Sequence, residues 1–84
     1  MINTKSSQPE KEKSPLRVLR EELGYTRPQV KAIIGVSERR QADWESGEAL
    51  PSLENAVALA RLYKVSLKTL CKAVGLDVSD IPND

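Results

Sequence analysis

Residues 37–47 read SERRQADWESG, and this stretch decides the fold. Ser37 is a residue type that caps the start of a helix, and Gly47 is typical of a helix end. Between them, Gln41 and Trp44 share one face of a helical wheel. The opposite stripe is formed by Glu38, Arg39, Ala42, Asp43 and Ser46. The stretch therefore predicts a short helix with an inward face and an exposed polar stripe.

A second short helix precedes this stretch and is marked by its own caps. Thr26 with Gln29 forms a capping box, and Pro28 stands in the first turn, where its missing N–H costs nothing. Gly35 ends the helix. The apolar residues predicted to line its inner face are Val30, Ile33 and Ile34. Two short helices joined by residues 35–37 form a compact angle, which lets the second of them enter a major groove roughly 12 Å wide.

Three further helices are predicted around this pair. The first begins at Ser14, Ser52 caps the one that runs from Leu53 to about Tyr63, and Ser66 caps the last. That helix is apolar almost all round, which is typical of a helix in the middle of a bundle. The residues expected to face inward on the first and last helices are Leu16, Leu19, Arg20, Leu23, Leu67, Leu70, Cys71 and Val74. The sequence thus predicts an all-α fold, a compact bundle of five helices.

The composition indicates one small domain whose overall charge creates no strong electrostatic field. The chain has 84 residues, of which 13 are basic and 12 acidic, so its net charge is +1 and any attraction to nucleic acid has to be local. One cysteine excludes an internal disulfide and fits a reducing compartment. The N-terminus lacks an apolar signal region, and no apolar run is long enough to span a membrane. We therefore expect a cytoplasmic protein.

The residue types argue against an enzyme. The chain contains no His, no plausible metal cluster, no Gly-rich loop that cradles phosphate, and no nucleophile beside a base. We expect no catalytic residues, no metal and no cofactor. A small-molecule ligand is not expected either, because so thin a bundle leaves little room for a pocket.

The spacing of these elements resembles the Cro and lambda-repressor-like family, also called the XRE family. The resemblance is carried by Gly35-Val36-Ser37, followed after six residues by Trp44-Glu45-Ser46-Gly47 and then by Pro51-Ser52-Leu53. It implies a helix-turn-helix DNA-binding domain over residues 14–75. A polar segment over residues 1–13 is interpreted as a flexible arm, and residues 76–84 as a short acidic tail.

The resemblance also implies which residues contact DNA. Members of the family reach base edges from the third helix, at positions that are Glu38, Arg39, Ala42 and Asp43 in this chain. The predicted phosphate contacts are Arg27, Arg40 and Ser46. Arg39 is the natural guanine reader, because a guanidinium can donate to both O6 and N7. Arg27 has the N-terminus of a helix behind it, which favours an anion.

One charged residue falls within a stripe that is otherwise apolar. Arg20 lies between Leu19 and Leu23 on the inward side of the first helix, and a buried guanidinium without a partner would be very costly. The family resemblance supplies a partner, because the Glu of the Trp-Glu-Ser-Gly motif usually pairs with an Arg in this place. That residue is Glu45 here. We predict a structural ion pair between Arg20 and Glu45.

Two residues depart from the family pattern at the place where the second and third helices cross. Lys31 stands where a small residue is usual, and Gln41 stands where a β-branched apolar residue usually turns inward. Lys31 could extend its stem along apolar surface, and Gln41 could hydrogen-bond locally. The crossing could also be splayed, which would tilt the third helix.

Two functions from different classes follow. The first is a sequence-specific DNA-binding transcriptional regulator that reads the major groove with the helix 38–46 as a dimer. A homodimer would form through the fifth helix and the tail, by Val74, Leu76, Val78 and Ile81, with half-sites about 34 Å apart. The alternative is a protein-interaction module, an adaptor or antitoxin-like partner, on a degenerate helix-turn-helix fold with weak or no DNA binding. The near-neutral charge, the acidic residues on the stripe and the polar crossing favour that alternative.

Overall fold

The computed structural model describes residues 13–76, and these form five α-helices and no strand. The helices are α1 (Pro15–Glu22), α2 (Arg27–Ile34), α3 (Glu38–Ser46), α4 (Leu53–Tyr63) and α5 (Leu67–Ala73). The predicted all-α fold of five helices is confirmed. The predicted arm and tail lie outside the described residues, except for Lys13 and Leu76.

Each helix begins at a hydroxyl side chain, as the sequence predicts. Ser37 is representative, because its Oγ accepts a hydrogen bond from the backbone N–H of Arg40 at 3.1 Å. Thr26 and Gln29 bond each other's backbone N–H groups and so form the complete capping box. These bonds satisfy donors that the first turn of a helix would otherwise leave unpaired. The five N-cap residues are Ser14, Thr26, Ser37, Ser52 and Ser66.

The helices around the turn end at glycines. Gly35 and Gly47 have φ angles of 77° and 87°, a left-handed conformation that costs little only in glycine. Lys64 adopts the same conformation after α4, with φ at 61°, although it carries a side chain. Gly35 is the residue that lets the chain turn sharply from α2 into α3.

The core is formed by apolar side chains from all five helices and from the turn between α2 and α3. Among the described residues, those buried in it are Leu16, Val30, Val36, Trp44, Ala56, Leu59, Ala60, Tyr63, Leu70 and Val74. The largest share comes from α4, as expected of the most apolar helix. α4 packs against α5, while α1 packs against both α3 and α5, and α2 against α3. α3 is therefore held in place by contacts with both α1 and α2.

Two residues predicted to face inward, Ile33 and Leu23, are exposed. Ile33 is 53% exposed and Leu23 is 43% exposed, while Cys71 is half-buried. α2 buries only a narrow stripe through Val30 and part of Ile34, and Ile33 is rotated from Ile34 by roughly 100° around the helix. Leu23 lies just beyond the end of α1, where the helical wheel no longer applies. The prediction is therefore wrong for Ile33 and Leu23.

Candidate nucleic-acid interface

α3 presents three side chains to the interior of the protein. Gln41, Trp44 and Glu45 are all buried, with 2%, 3% and 7% of their surface exposed. Trp44 belongs to the apolar core, as predicted. Because these three residues lie on one side of the helix, the opposite side faces outward.

The outward side of α3 carries the four residues predicted to contact bases. Glu38 and Arg39 are exposed, whereas Ala42 and Asp43 are half-buried. The Nε of Arg39 lies 3.5 Å from the Oδ1 of Asp43, one turn along the helix, and the Arg39 side chain is 86% exposed. A pair of this length and exposure is weak. The Arg39 guanidinium therefore projects from α3 with only a loose intrahelical partner.

The three residues predicted to contact phosphate differ in their surroundings. Arg40 and Ser46 are exposed, and the Ser46 Oγ donates to the backbone carbonyl of Asp43 at 3.2 Å. Arg27 is half-buried, and its Nη2 donates to the Oε1 of Glu45 at 2.7 Å. The pairing of Arg27 with Glu45 is not predicted by the sequence. Phosphate binding by these three residues stays a prediction.

Glu45 is the centre of a buried ion network. The Nε of Arg20 donates to its Oε2 at 2.7 Å, and both side chains are less than a tenth exposed, at 7% and 5%. The Nη1 of Arg20 also donates to the backbone carbonyl of Tyr25 at 2.9 Å. The hydrogen bond from Glu45 raises the pKa of Arg20 above its ordinary value, so the guanidinium stays charged. With Arg27 as second donor, one carboxylate on α3 joins α1 and α2.

Gln41 makes the second polar connection of α3. Its Nε2 donates to the backbone carbonyls of Arg27 and Val36, at 3.0 Å in both cases. Arg27 is the first residue of α2, and Val36 follows the end of that helix. A single amide therefore joins α3 to the backbone at both ends of α2. Of the alternatives that the sequence leaves open for Gln41, local hydrogen bonding is the one observed. Lys31, the other unusual residue, is exposed.

Tyr63 gives the folded state a predicted sensitivity to alkaline pH. It packs beside Tyr25, with ring centroids 6.5 Å apart. Burial, reinforced by the Glu45 carboxylate, raises the pKa of Tyr63 from 10.0 to about 12. Between these two values the unfolded chain loses the phenolic proton while the folded chain keeps it, so the free energy of unfolding falls as pH rises.

We therefore expect Tyr63→Phe to remove part of the alkaline destabilisation. The measurement is the urea concentration at the midpoint of unfolding, determined for both proteins at a series of pH values between 8 and 12. Below pH 10 the curves of midpoint against pH should run parallel for the two proteins, because Tyr63 is protonated in both the folded and the unfolded state. The wild-type midpoint should then fall more steeply. Curves that stay parallel up to pH 12 would contradict the role of Tyr63.

Neither a metal site nor a membrane span is found in this part of the chain. Residues 13–76 contain no group of three or more side chains of the types that hold a metal ion. No helix among them is long and apolar enough to cross a bilayer.

Comparisons with known proteins agree with the observed fold. Residues 16–70 match the family described as helix-turn-helix. The cryptic phage CTXphi transcriptional repressor RstR of Vibrio cholerae serotype O1 is 36% identical over 52 residues, a match covering 62% of this chain and 46% of that relative. The match thus spans less than half of the relative's length. No solved structure gives a significant match. Because the matched segment includes helices α1 to α4 and most of α5, the chain belongs to the helix-turn-helix family of the Cro and lambda-repressor (XRE) type.

Proposed function

We propose that the chain is a DNA-binding transcriptional regulator whose α3 reads base edges in the major groove as part of a homodimer. The observation that carries this proposal is the division of α3 into two sides. Gln41, Trp44 and Glu45 fix the helix from inside, and Glu38 and Arg39 remain exposed at its start. A helix held in this way fits a groove roughly 12 Å wide. The relative described as a transcriptional repressor supports the proposal.

Arg39 has the leading role in base recognition. Its guanidinium projects from α3, and the carboxylate of Asp43 near its Nε leaves the two Nη groups for guanine O6 and N7. Glu38 or Asp43 accepts from a cytosine N4–H in this proposal, and Ala42 contacts a thymine methyl group.

Arg27, Arg40 and Ser46 position α3 through phosphates in the same proposal. Arg27 is the first residue of α2, where the helix N-terminus favours an anion. Its bond to Glu45 restricts the side chain, and a phosphate would use the N–H donors that Glu45 leaves. A regulator acts beside its DNA, so the proposal includes the cytoplasmic location predicted from the sequence.

The proposed dimer contact lies at the end of α5. Val74, predicted to contribute, is 6% exposed and belongs to the core of its own chain, so it is not available to a second copy. Leu76 is 41% exposed and can contribute. Val78 and Ile81 lie outside the described residues. A symmetric dimer would place two α3 helices on half-sites about 34 Å apart.

A protein-interaction module is the second candidate, and exposed apolar side chains favour it. Ile33 and Leu50 are each 53% exposed, and Leu53 is 69% exposed. Acidic residues on the outward side of α3, Glu38 and Asp43, would also suit a protein partner better than phosphates. Such a module, adaptor or antitoxin-like, would bind DNA weakly or not at all.

Selection from a random duplex pool, repeated at several salt concentrations, separates the two candidates. The wild-type protein should enrich a motif and lose affinity as salt rises. Arg39→Ala should relax one position of the motif, by about 1–3 kcal/mol. Arg27→Ala should weaken binding to every sequence and flatten the salt dependence by about one unit of slope.

Arg61→Ala is the matched control, because it removes an exposed arginine from α4. It should leave the selected motif unchanged. Since Arg27 also bonds Glu45, the thermal unfolding of Arg27→Ala is measured first, and binding is compared well below its midpoint. A folded wild-type protein that selects no motif and shows no salt dependence would overturn the proposal and favour the interaction module.

A further inference from the structure

A groove with a volume of about 540 Å³ lies between α1 and α5. Most of its lining is apolar, and the residues are Pro15, Val18, Leu19, Ala73, Lys13, Thr69 and Lys72. The groove is larger than the sequence predicts for so thin a bundle. No residue of α2 or α3 lines the groove itself.

A smaller hollow of about 210 Å³ continues the groove toward the end of α5. The two share Pro15, Lys72 and Ala73. The smaller one also reaches Gly75 after α5 and the end of α3, from Trp44 to Gly47. Gly75 has a φ of 96° and closes α5, and the N–H of the next residue, Leu76, donates back to the carbonyl of Cys71 at 3.0 Å. The described chain therefore ends beside the smaller hollow, which adjoins the groove.

We propose that residues 77–84 of the same chain occupy this groove. The segment reads DVSDIPND, so besides Pro82 it offers two branched apolar side chains, Val78 and Ile81, each directly after an aspartate. The apolar side chains match the lining of the groove, and the aspartates match its lysines. Lys72 makes no ion pair with another residue in the range 13–76, whereas Lys13 pairs with Glu21 at 2.6 Å.

The length of the segment is sufficient. Eight residues in extended conformation span about 26 Å, while the face of α5 from Thr69 to Ala73 is only about 6 Å long. The tether also favours the same chain over a second copy, because a short connection holds the segment at a high local concentration. Occupation in this way narrows the proposed dimer contact to Leu76 and the part of α5 outside the groove.

The other segment outside the structure fits the groove less well. Residues 1–12 carry Lys5 and Lys11 against Glu10 and Glu12, so their side chains have no net charge to match the lysines. Their aliphatic residues, Met1 and Ile2, stand at the far end from α1. Charge and apolar content both favour residues 77–84 as the occupant.

Methyl NMR of the full chain tests this proposal. Wild-type protein should show nuclear Overhauser contacts from Val78 or Ile81 to the methyl groups of Val18, Leu19 or Ala73, independent of protein concentration. A double variant, Val78→Ser with Ile81→Ser, should lose these contacts and shift the Val18 and Leu19 methyl signals. Asn83→Ser is the matched control in the same segment, and it should leave the signals unchanged.

Lys72→Gln tests the electrostatic part. It should lower the ratio of occupied to open groove by about two- to fivefold at low salt, as expected for an exposed ion pair, and by less at high salt. Absence of contacts in the wild-type protein would overturn the proposal. Contacts that appear only between labelled and unlabelled copies, or contacts from Ile2 instead, would overturn it as well.

Discussion

Glu45→Ala is expected to lower the free energy of unfolding by about 3–5 kcal/mol. The substitution leaves the Arg20 side chain, which is 7% exposed, without its carboxylate. Only the Tyr25 carbonyl at 2.9 Å and the Glu21 carboxylate at 3.8 Å would remain near it. Arg27 would lose its partner at the same time, so two guanidinium groups would face a gap. Urea denaturation near pH 7 measures the effect.

Arg20→Ala is expected to cost less, toward the lower end of about 3–5 kcal/mol, because Glu45 keeps Arg27 as a partner at 2.7 Å. The matched control is Arg17→Ala on the same helix. Arg17 pairs with Glu21 at 2.8 Å, but both side chains are far more exposed than the Arg20–Glu45 pair, at 41% and 31%. Such a pair contributes little, so the control should unfold close to the wild type. A Glu45→Ala protein that melts within about 2 °C of the wild type would contradict the buried network.

Leu59→Ala is the second large effect that we expect, with a loss of about 2–5 kcal/mol. Leu59 is 1% exposed, and its truncation leaves a cavity where α4 faces the rest of the core. Leu53→Ala makes the same chemical change on the same helix at a side chain that is 69% exposed. That control should stay within about 0.5 kcal/mol of the wild type. Equal losses for the two variants would mean that α4 is not oriented as described.

The helices could be predicted because their signals are local. A hydroxyl residue at each start and a glycine after α2 and α3 act within one turn of the chain, so no tertiary contact is needed to place them. Ile33 shows the limit of the same reasoning. Its apolar side chain satisfies the helical pattern, yet whether it is covered depends on which helix packs against α2. That packing is a tertiary property.

The polar interior of the site was less accessible to sequence reasoning. The partner of Arg20 is named only through the family motif, since 25 residues separate it from Glu45. Arg27 already has a sufficient explanation as a phosphate ligand at a helix start, so no signal points from it to Glu45. The acceptors of Gln41 are backbone carbonyls of Arg27 and Val36, which carry no sequence signature. Contacts to bases depend on a partner outside the chain and therefore stay proposals.

The two sides of α3 also differ in which positions can be substituted without unfolding the protein. Glu38, Arg39 and Asp43 use their side chains only within α3 or toward solvent, as far as the described bonds extend. Gln41, Trp44 and Glu45 hold the frame. A library randomised at the first three positions should therefore remain foldable as a whole, with variants differing in what they bind. In a library randomised instead at Gln41, Trp44 and Glu45, most variants should fail to fold, so few would be available for a selection for binding.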